Sequence, residues 1–222
     1  MAGIVIEKAF ADPPLAVLPL DCEASSLHRS LSWPVEVGWS EADWDDGRLL
    51  AGPEAHLVKP AAGWTDWSVK SQQIHGIPLG QLHRDGKSAR IVAERLLDAA
   101  RGKVVLVTHR EDVFWLQRLM EAARTQGADP DAHFRLAFFQ EALMARLTAA
   151  SAGAGQDTAD REWARAFGVM NRTSNSARYL APPNHRAGPD SLTMATWWRI
   201  AVAAFERGEP GQVRSDVDPD TA

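Results

Sequence analysis

The sequence predicts an α/β domain in which a mixed β-sheet is flanked by α-helices. Three observations carry that reading. Three strand-like segments come first, within the opening sixty residues; strand and helix then alternate from Ser88 onward; and 45% of the 222 residues are apolar, enough for a full core. Consecutive opening strands argue for about five strands with the first three antiparallel, and against a fully parallel sheet.

Leu15 to Leu20 is an apolar run, interrupted only by Pro19, that reads as a buried strand delivering the chain to Asp21-Cys22-Glu23. Trp33 to Trp39 alternates around Val35 and Val37, with Pro34 at the first position, where a strand tolerates proline. Residues 40–53 are acidic and turn-rich, residues 54–60 read as a third strand ending at Pro60, and a loop with Trp64 and Trp67 follows.

Ser88 suits the N-cap of a helix running to about Ala100, with Ile91, Val92, Leu96 and Leu97 on one face and Arg101-Gly102 as its stop. Lys103 to Thr108 is a buried strand by its length and β-branching. Asp112 to Arg124 places Val113, Leu116, Leu119, Met120 and Ala123 at helical spacing, closed by Gly127. His133 to Phe138 is a weaker strand with a helix to Leu147 behind it. Ser151 to Gln156 is a flexible link, Asp160 to Val169 a short helix, and Ser191 to Arg207 a closing helix. The chain thus divides into an N-terminal extension at 1–14, one domain at 15–207 and a Gly-, Pro- and Asp-rich disordered tail at 208–222.

A single Cys, Cys22, excludes a disulfide scaffold and fits a reducing compartment. No stretch approaches the roughly 18 consecutive apolar residues that span a bilayer. Glu7, Asp12 and Pro13-Pro14 stand where a signal segment would be basic and then apolar. The expectation is a cytoplasmic protein with no membrane partner. Lys+Arg at 24 against Asp+Glu at 29 leaves a net charge of −5, so any polyanionic partner must be held locally. Neither a Gly-x-x-x-x-Gly-Lys loop nor a Gly-x-Ser-x-Gly elbow is present, which leaves nucleotide triphosphatase and serine hydrolase readings without a starting point. His75, His83 and His109, spaced eight and twenty-six apart, match no usual zinc-ligand pattern.

Asp21-Cys22-Glu23 is the first chemical signal. Residues two apart on a strand share a face, so both carboxylates emerge together from the end of an apolar strand. Their repulsion is relieved if a hard divalent cation sits between them. The other acidic-x-acidic pairs, such as Glu41-Ala-Asp43 and Asp129-Pro-Asp131, sit in polar loops. Read alone, Asp112 is a carboxylate favouring the positive end of a helix, and His185 with Asp190 is a loop histidine and a capping acid.

Taken in order, these residues resemble the DEDD superfamily of 3′–5′ exonucleases, the DnaQ-like or RNase T-like group with a ribonuclease H-like fold, in its histidine-using subset. The first motif is Leu18-Pro-Leu-Asp21-Cys-Glu23-Ala-Ser-Ser-Leu27. Pro34-Val-Glu-Val-Gly38 matches the second strand, and Ser71-Gln-Gln-Ile-His-Gly-Ile77 the element before the next helix. Asp112 is the second acidic motif, with Glu111 as a competitor because His109 stands only three residues ahead. His185-Arg-Ala-Gly-Pro-Asp190 is the third, in which Pro189 is expected to disturb the helix and shift the last carboxylate.

The resemblance implies a ribonuclease H-like sheet and a metal-dependent 3′–5′ exonuclease. Asp21, Glu23, Asp112 and Asp190 would hold two Mg²⁺ or Mn²⁺ ions, and His185 would act as general base. Ala24, Ser25, Leu27, His28 and His75 would meet the terminal nucleotide of a DNA or RNA 3′ end. Trp33, Trp64, Trp67 and Arg186 are further candidates for stacking and phosphate contacts, whereas Trp115 and one of Trp197 and Trp198 read as packing. The Trp197-Trp198 pair would leave apolar surface for a homodimer. The competing reading is a catalytically weakened exonuclease-like module that binds nucleic acid or a protein partner.

Overall fold

The structure, a computed structural model, describes residues 4–7, 10, 13–28 and 30–210. The central sheet has six strands: β1 (Ile4–Ile6), β2 (Ala16–Ala24), β3 (Pro34–Asp43), β4 (Leu49–Leu57), β5 (Val104–Val107) and β6 (Phe134–Phe138). Their spatial order is β1-β6-β5-β2-β3-β4, with β3 antiparallel to its neighbours β2 and β4, and with β2, β5, β6 and β1 parallel. This is the mixed sheet flanked by helices anticipated from the sequence, with one strand more than the five expected. The extra strand comes from residues 1–14, since Ile4–Ile6 pairs alongside β6 at the sheet edge. Three residues are too few to show a period of two.

Strand alternation sorts the core into two layers. Leu18, Leu20, Cys22, Val105 and Val107 face α3 (Ala89–Ala99) and α4 (Arg110–Thr125). Val17, Ala42, Val104, Leu106 and Ala137 face the second layer, built from α5 (Phe139–Thr148), α6 (Gln156–Leu180) and α7 (Ala187–Glu206). Side chains two apart on each strand share a layer, the geometry that also sets the direction of Asp21 and Glu23.

Several boundaries differ from the sequence reading. Residues 40–53 are mostly strand: β3 runs on to Asp43 and β4 begins at Leu49, leaving a short turn. Asp43 Oδ1 closes that turn by accepting from the Asp45 and Asp46 N–H groups at 2.8 and 3.1 Å. Of the four acids in this stretch, Glu41, Asp43, Asp45 and Asp46, Glu41 pairs with Lys103 at 2.9 Å. Pro53 is tolerated because β4 is an edge strand. The Trp64 and Trp67 loop leads into two short helices, α1 (Val69–His75), capped by Ser68, and α2 (Leu79–Asp85). The short helix expected at 160–169 is a 25-residue helix, α6, which continues through a polar stretch because Ala166, Val169, Met170, Thr173 and Ala177 keep burying one stripe.

Gly208, Glu209 and Pro210 are the only described residues of the tail anticipated at 208–222; positions 211–222 lie outside the described residues. No helix among the described residues is long and apolar enough to cross a membrane.

Candidate active site

The site forms where the parallel strands end. β2 carries Asp21 and Glu23 near its C-terminal end, alternating with the core residues Cys22 and Ala24, and their side chains point toward α7. On the neighbouring strand Gly38 stands opposite Asp21 and Glu36 opposite Glu23. A Cβ on Gly38 would lie 2.5 Å from the Ala187 carbonyl carbon and collide with the Gly188 nitrogen, so the first turn of α7 rests directly on β3. That close approach brings Asp190, in the same turn, to the two β2 carboxylates. One carboxylate oxygen from each of Asp21, Glu23 and Asp190 lies within 4.8 Å of the others.

Glu36 fixes the head of α7. Only 3% exposed, it accepts from Arg186 Nε at 2.9 Å and from Arg186 Nη2, and also from the Ala187 N–H at 2.9 Å. Arg186 is thereby tied to β3 and is not the free phosphate contact the sequence suggested. Glu36 was quoted in the strand motif without a role; its place among apolar neighbours on a buried strand was the available signal.

Pro189 does not shift the last carboxylate. It sits in the first turn of α7, where a missing N–H breaks no helical bond, and the Asp190 N–H reaches the Arg186 carbonyl at 3.0 Å. Asp190 Oδ1 accepts from the Asn184 N–H at 2.8 Å. Between them His185, exposed and at φ 57°, is held in the left-handed region that few non-glycine residues adopt.

Asp112 and Glu111 part company in the fold. Asp112 is 2% exposed and its Oδ2 accepts from the His109 N–H at 3.2 Å, whereas Glu111 is exposed. Both line a cleft of about 700 Å³ together with Asp21, Glu23, His185 and Asp190. The five side chains singled out from the sequence therefore share one cleft, with Asp112 arriving from α4 and the triad from β2 and α7.

The electrostatics of this cluster are those of negative charge short of a counterion. Burial, then the carboxylates of Glu23 and Asp190, push Asp21 well above the usual carboxylate range. Burial with Asp190 and Glu36 nearby raises Glu23 from its usual 4.5 to about 7. Burial and the neighbouring Asp21 raise Asp112, and burial raises Asp190 against the pull of the surrounding N–H groups. Hard oxygen donors gathered this closely fit a divalent cation, which removes the repulsion.

The nucleotide-contact candidates separate. Leu27, 79% exposed, lines the cleft. Ala24 and Ser25 are buried; Ser25 donates its N–H to the Trp33 carbonyl at 2.9 Å, and its own carbonyl accepts from the Ser68 N–H at 2.9 Å, so its backbone is committed internally. His28 is exposed beside Ser30 and stands outside the cleft wall. His75 is buried against Trp67, accepts from the Ile77 N–H at 3.0 Å, and is likewise outside that wall. Trp33 stacks on Trp64 at 5.4 Å and meets Trp67 at 5.8 Å in a small core of their own, which removes all three as base-stacking platforms. Trp198 is fully buried, and Trp197 packs on Phe139 at 4.8 Å and donates to the Met170 carbonyl at 3.0 Å. The pair therefore does not form the apolar dimer surface expected from it: Trp198 is interior, and Trp197, half-buried, lines the cleft. Sequence reasoning passed over Gln140, Ser174 and Arg178, which line the cleft from α5 and α6 and carry no motif.

The chain is similar in structure to exonuclease I. Against E. coli exonuclease I in complex with a dA16 oligonucleotide the TM-score is 0.45 at 18% identity, over 54% of this chain and 27% of that chain. Against SSB/exonuclease I in complex with inhibitor CFAM the TM-score is 0.47 at 16% identity, over 61% and 31%. The zinc-ion-bound form of the E. coli exonuclease I–ssDNA complex gives 0.43 at 18%, over 54% and 27%. The aligned part spans less than a third of those chains. No protein-family model and no curated protein matches the sequence.

Proposed function

We propose that this protein is a metal-dependent 3′–5′ exonuclease that hydrolyses the terminal phosphodiester bond of single-stranded or short nucleic acid. The observation that carries the reading is the convergence of Asp21, Glu23 and Asp190 to within 4.8 Å, with Asp112 and His185 in the same cleft. Four carboxylates at a strand end, short of positive charge, suit two-metal phosphodiester chemistry.

Asp21 would touch both cations, Glu23 and Asp190 would complete the first, and Asp112 would hold the second. Mg²⁺ or Mn²⁺ bound there makes a water more acidic and neutralises charge on the leaving oxygen. The protein's own residues orient and move protons. His185, projected from its turn beside Asp190, takes the proton of the attacking water. Leu27, exposed at the cleft rim, wedges against the terminal base, while Ala24 and Ser25 shape the backbone beneath it. A DNA or an RNA 3′ end meets the same contacts.

Incubation of a 5′-labelled single-stranded DNA or RNA with Mg²⁺ or Mn²⁺ tests this. Stepwise shortening from the 3′ end is expected, and Asp21→Asn should abolish it. Metal binding without shortening of either substrate would select a binding module in place of the enzyme.

A further inference from the structure

We infer that the exposed face of α6 is a track for single-stranded nucleic acid leading away from the cleft, with Trp163 and Phe167 as its stacking platform. This rests on the exonuclease reading for the position of the 3′ end. The two rings are 55% and 44% exposed and stack on one another at 5.3 Å with an interplanar angle of 6°. Neither ring, one turn apart on the helix, is among the residues of the core clusters beside it.

The helix connects this pair to the cleft. Ser174 and Arg178, near its C-terminal end, line the cleft wall. At 3.6 residues per turn, Trp163, Phe167, Ser174 and Arg178 all fall within about 60° of one another around the helix axis. Fifteen residues at about 1.5 Å each put Trp163 about 22 Å from Arg178. At about 3.4 Å per stacked nucleotide that length accommodates about six nucleotides.

Charge and polarity point to the occupant. From Trp163 to Pro189 the sequence holds no Asp or Glu; Arg165 is paired with Glu162 and Arg186 with Glu36, so the charge that the track offers is that of Arg178. Arg178 is exposed at the cleft end of the track. Asn171 and Asn175, exposed beside the aromatic line, add neutral hydrogen-bonding groups. Stacking faces flanked by amide side chains and an arginine, with acids excluded, suit a sequence-tolerant single strand.

The test compares wild type with Trp163→Ala/Phe167→Ala, both outside the core clusters, with thermal unfolding to check that the fold is kept. Anisotropy of a fluorescein-labelled twelve-residue oligothymidylate gives the Kd, and turnover of a trinucleotide and of the twelve-residue strand gives KM and kcat. The expected result is a Kd and a twelve-residue KM raised at least about tenfold in the variant, with trinucleotide turnover unchanged. Trp163→Phe should restore most of the loss. Unchanged Kd and KM overturn the track while leaving the exonuclease reading intact. No turnover by wild type overturns that reading, and the anisotropy arm still decides the track. Wild-type self-association abolished by the double substitution, with oligonucleotide binding unchanged, would assign the pair to a second copy of the chain and overturn the proposal.

Discussion

Glu36 on β3 and Arg186 at the head of α7 form a two-pronged ion pair whose carboxylate also accepts from the Ala187 N–H. It is the clamp that sets the third carboxylate of the cluster, because Asp190 is in the turn that Arg186 opens. Arg186→Ala should destabilise the protein by about 3 kcal/mol, since it removes the arginine from a buried carboxylate and leaves it the Ala187 N–H. Glu36→Gln should cost less, about 1.5–3 kcal/mol, because the half-exposed Arg186 can turn to water. Urea unfolding of both variants checks the order.

Gly38→Ala acts on the same contact from the other side. The new methyl group meets the Ala187–Gly188 backbone, which cannot move without taking Asp190 along. The expected outcome is about 1–3 kcal/mol of lost stability together with weakened Mn²⁺ affinity by calorimetry. Unaltered Mn²⁺ affinity would show that α7 does not position the cluster.

Asp112 and Glu111 give a clean comparison. Asp112→Asn is expected to lower turnover by at least about 100-fold, more than the loss of an outer-sphere partner. Glu111→Gln, at an exposed position, should stay within a few-fold of wild type. Single-turnover cleavage at fixed Mg²⁺ measures both.

Much of this site was legible in the sequence, and the reasons are local. Asp21 and Glu23 could be placed on one face because strand alternation is rigid, and Ser88, Val104–Val107 and the α4 stripe were set by capping and periodicity. What could not be read was long-range. Nothing near Glu36 announces a partner 150 residues away, and Pro189 looked disruptive only because the start of α7 at Ala187 depends on that partner. Trp33, Trp64 and Trp67 looked available for bases because their mutual stacking is tertiary. The C-terminal half of α6 was missed because its Asn, Ser and Thr residues are weak helix formers, overridden by packing.

The raised carboxylates give a pH signature. Glu23 has a folded value of about 7 against its usual 4.5, so the stability it contributes is complete below about 4.5 and is lost as pH rises through 7. Asp21, Asp112 and Asp190 are raised in the same direction, burial being the first cause in each. Metal-free protein should therefore melt at a lower temperature at pH 8 than at pH 6. Added Mg²⁺ or Mn²⁺ should raise the melting temperature more at pH 8, where the cluster is ionised. Thermal scans with and without metal at both values check the sign, and Asp21→Asn should flatten the difference.

The most direct measurement is the anomalous scattering of a crystal soaked in Mn²⁺. Two peaks about 4 Å apart are expected, one among Asp21, Glu23 and Asp190 and the other shared by Asp21 and Asp112. Mn²⁺ bound elsewhere on the protein, with no peak in contact with Asp21, would contradict the assignment of these carboxylates as a catalytic metal centre.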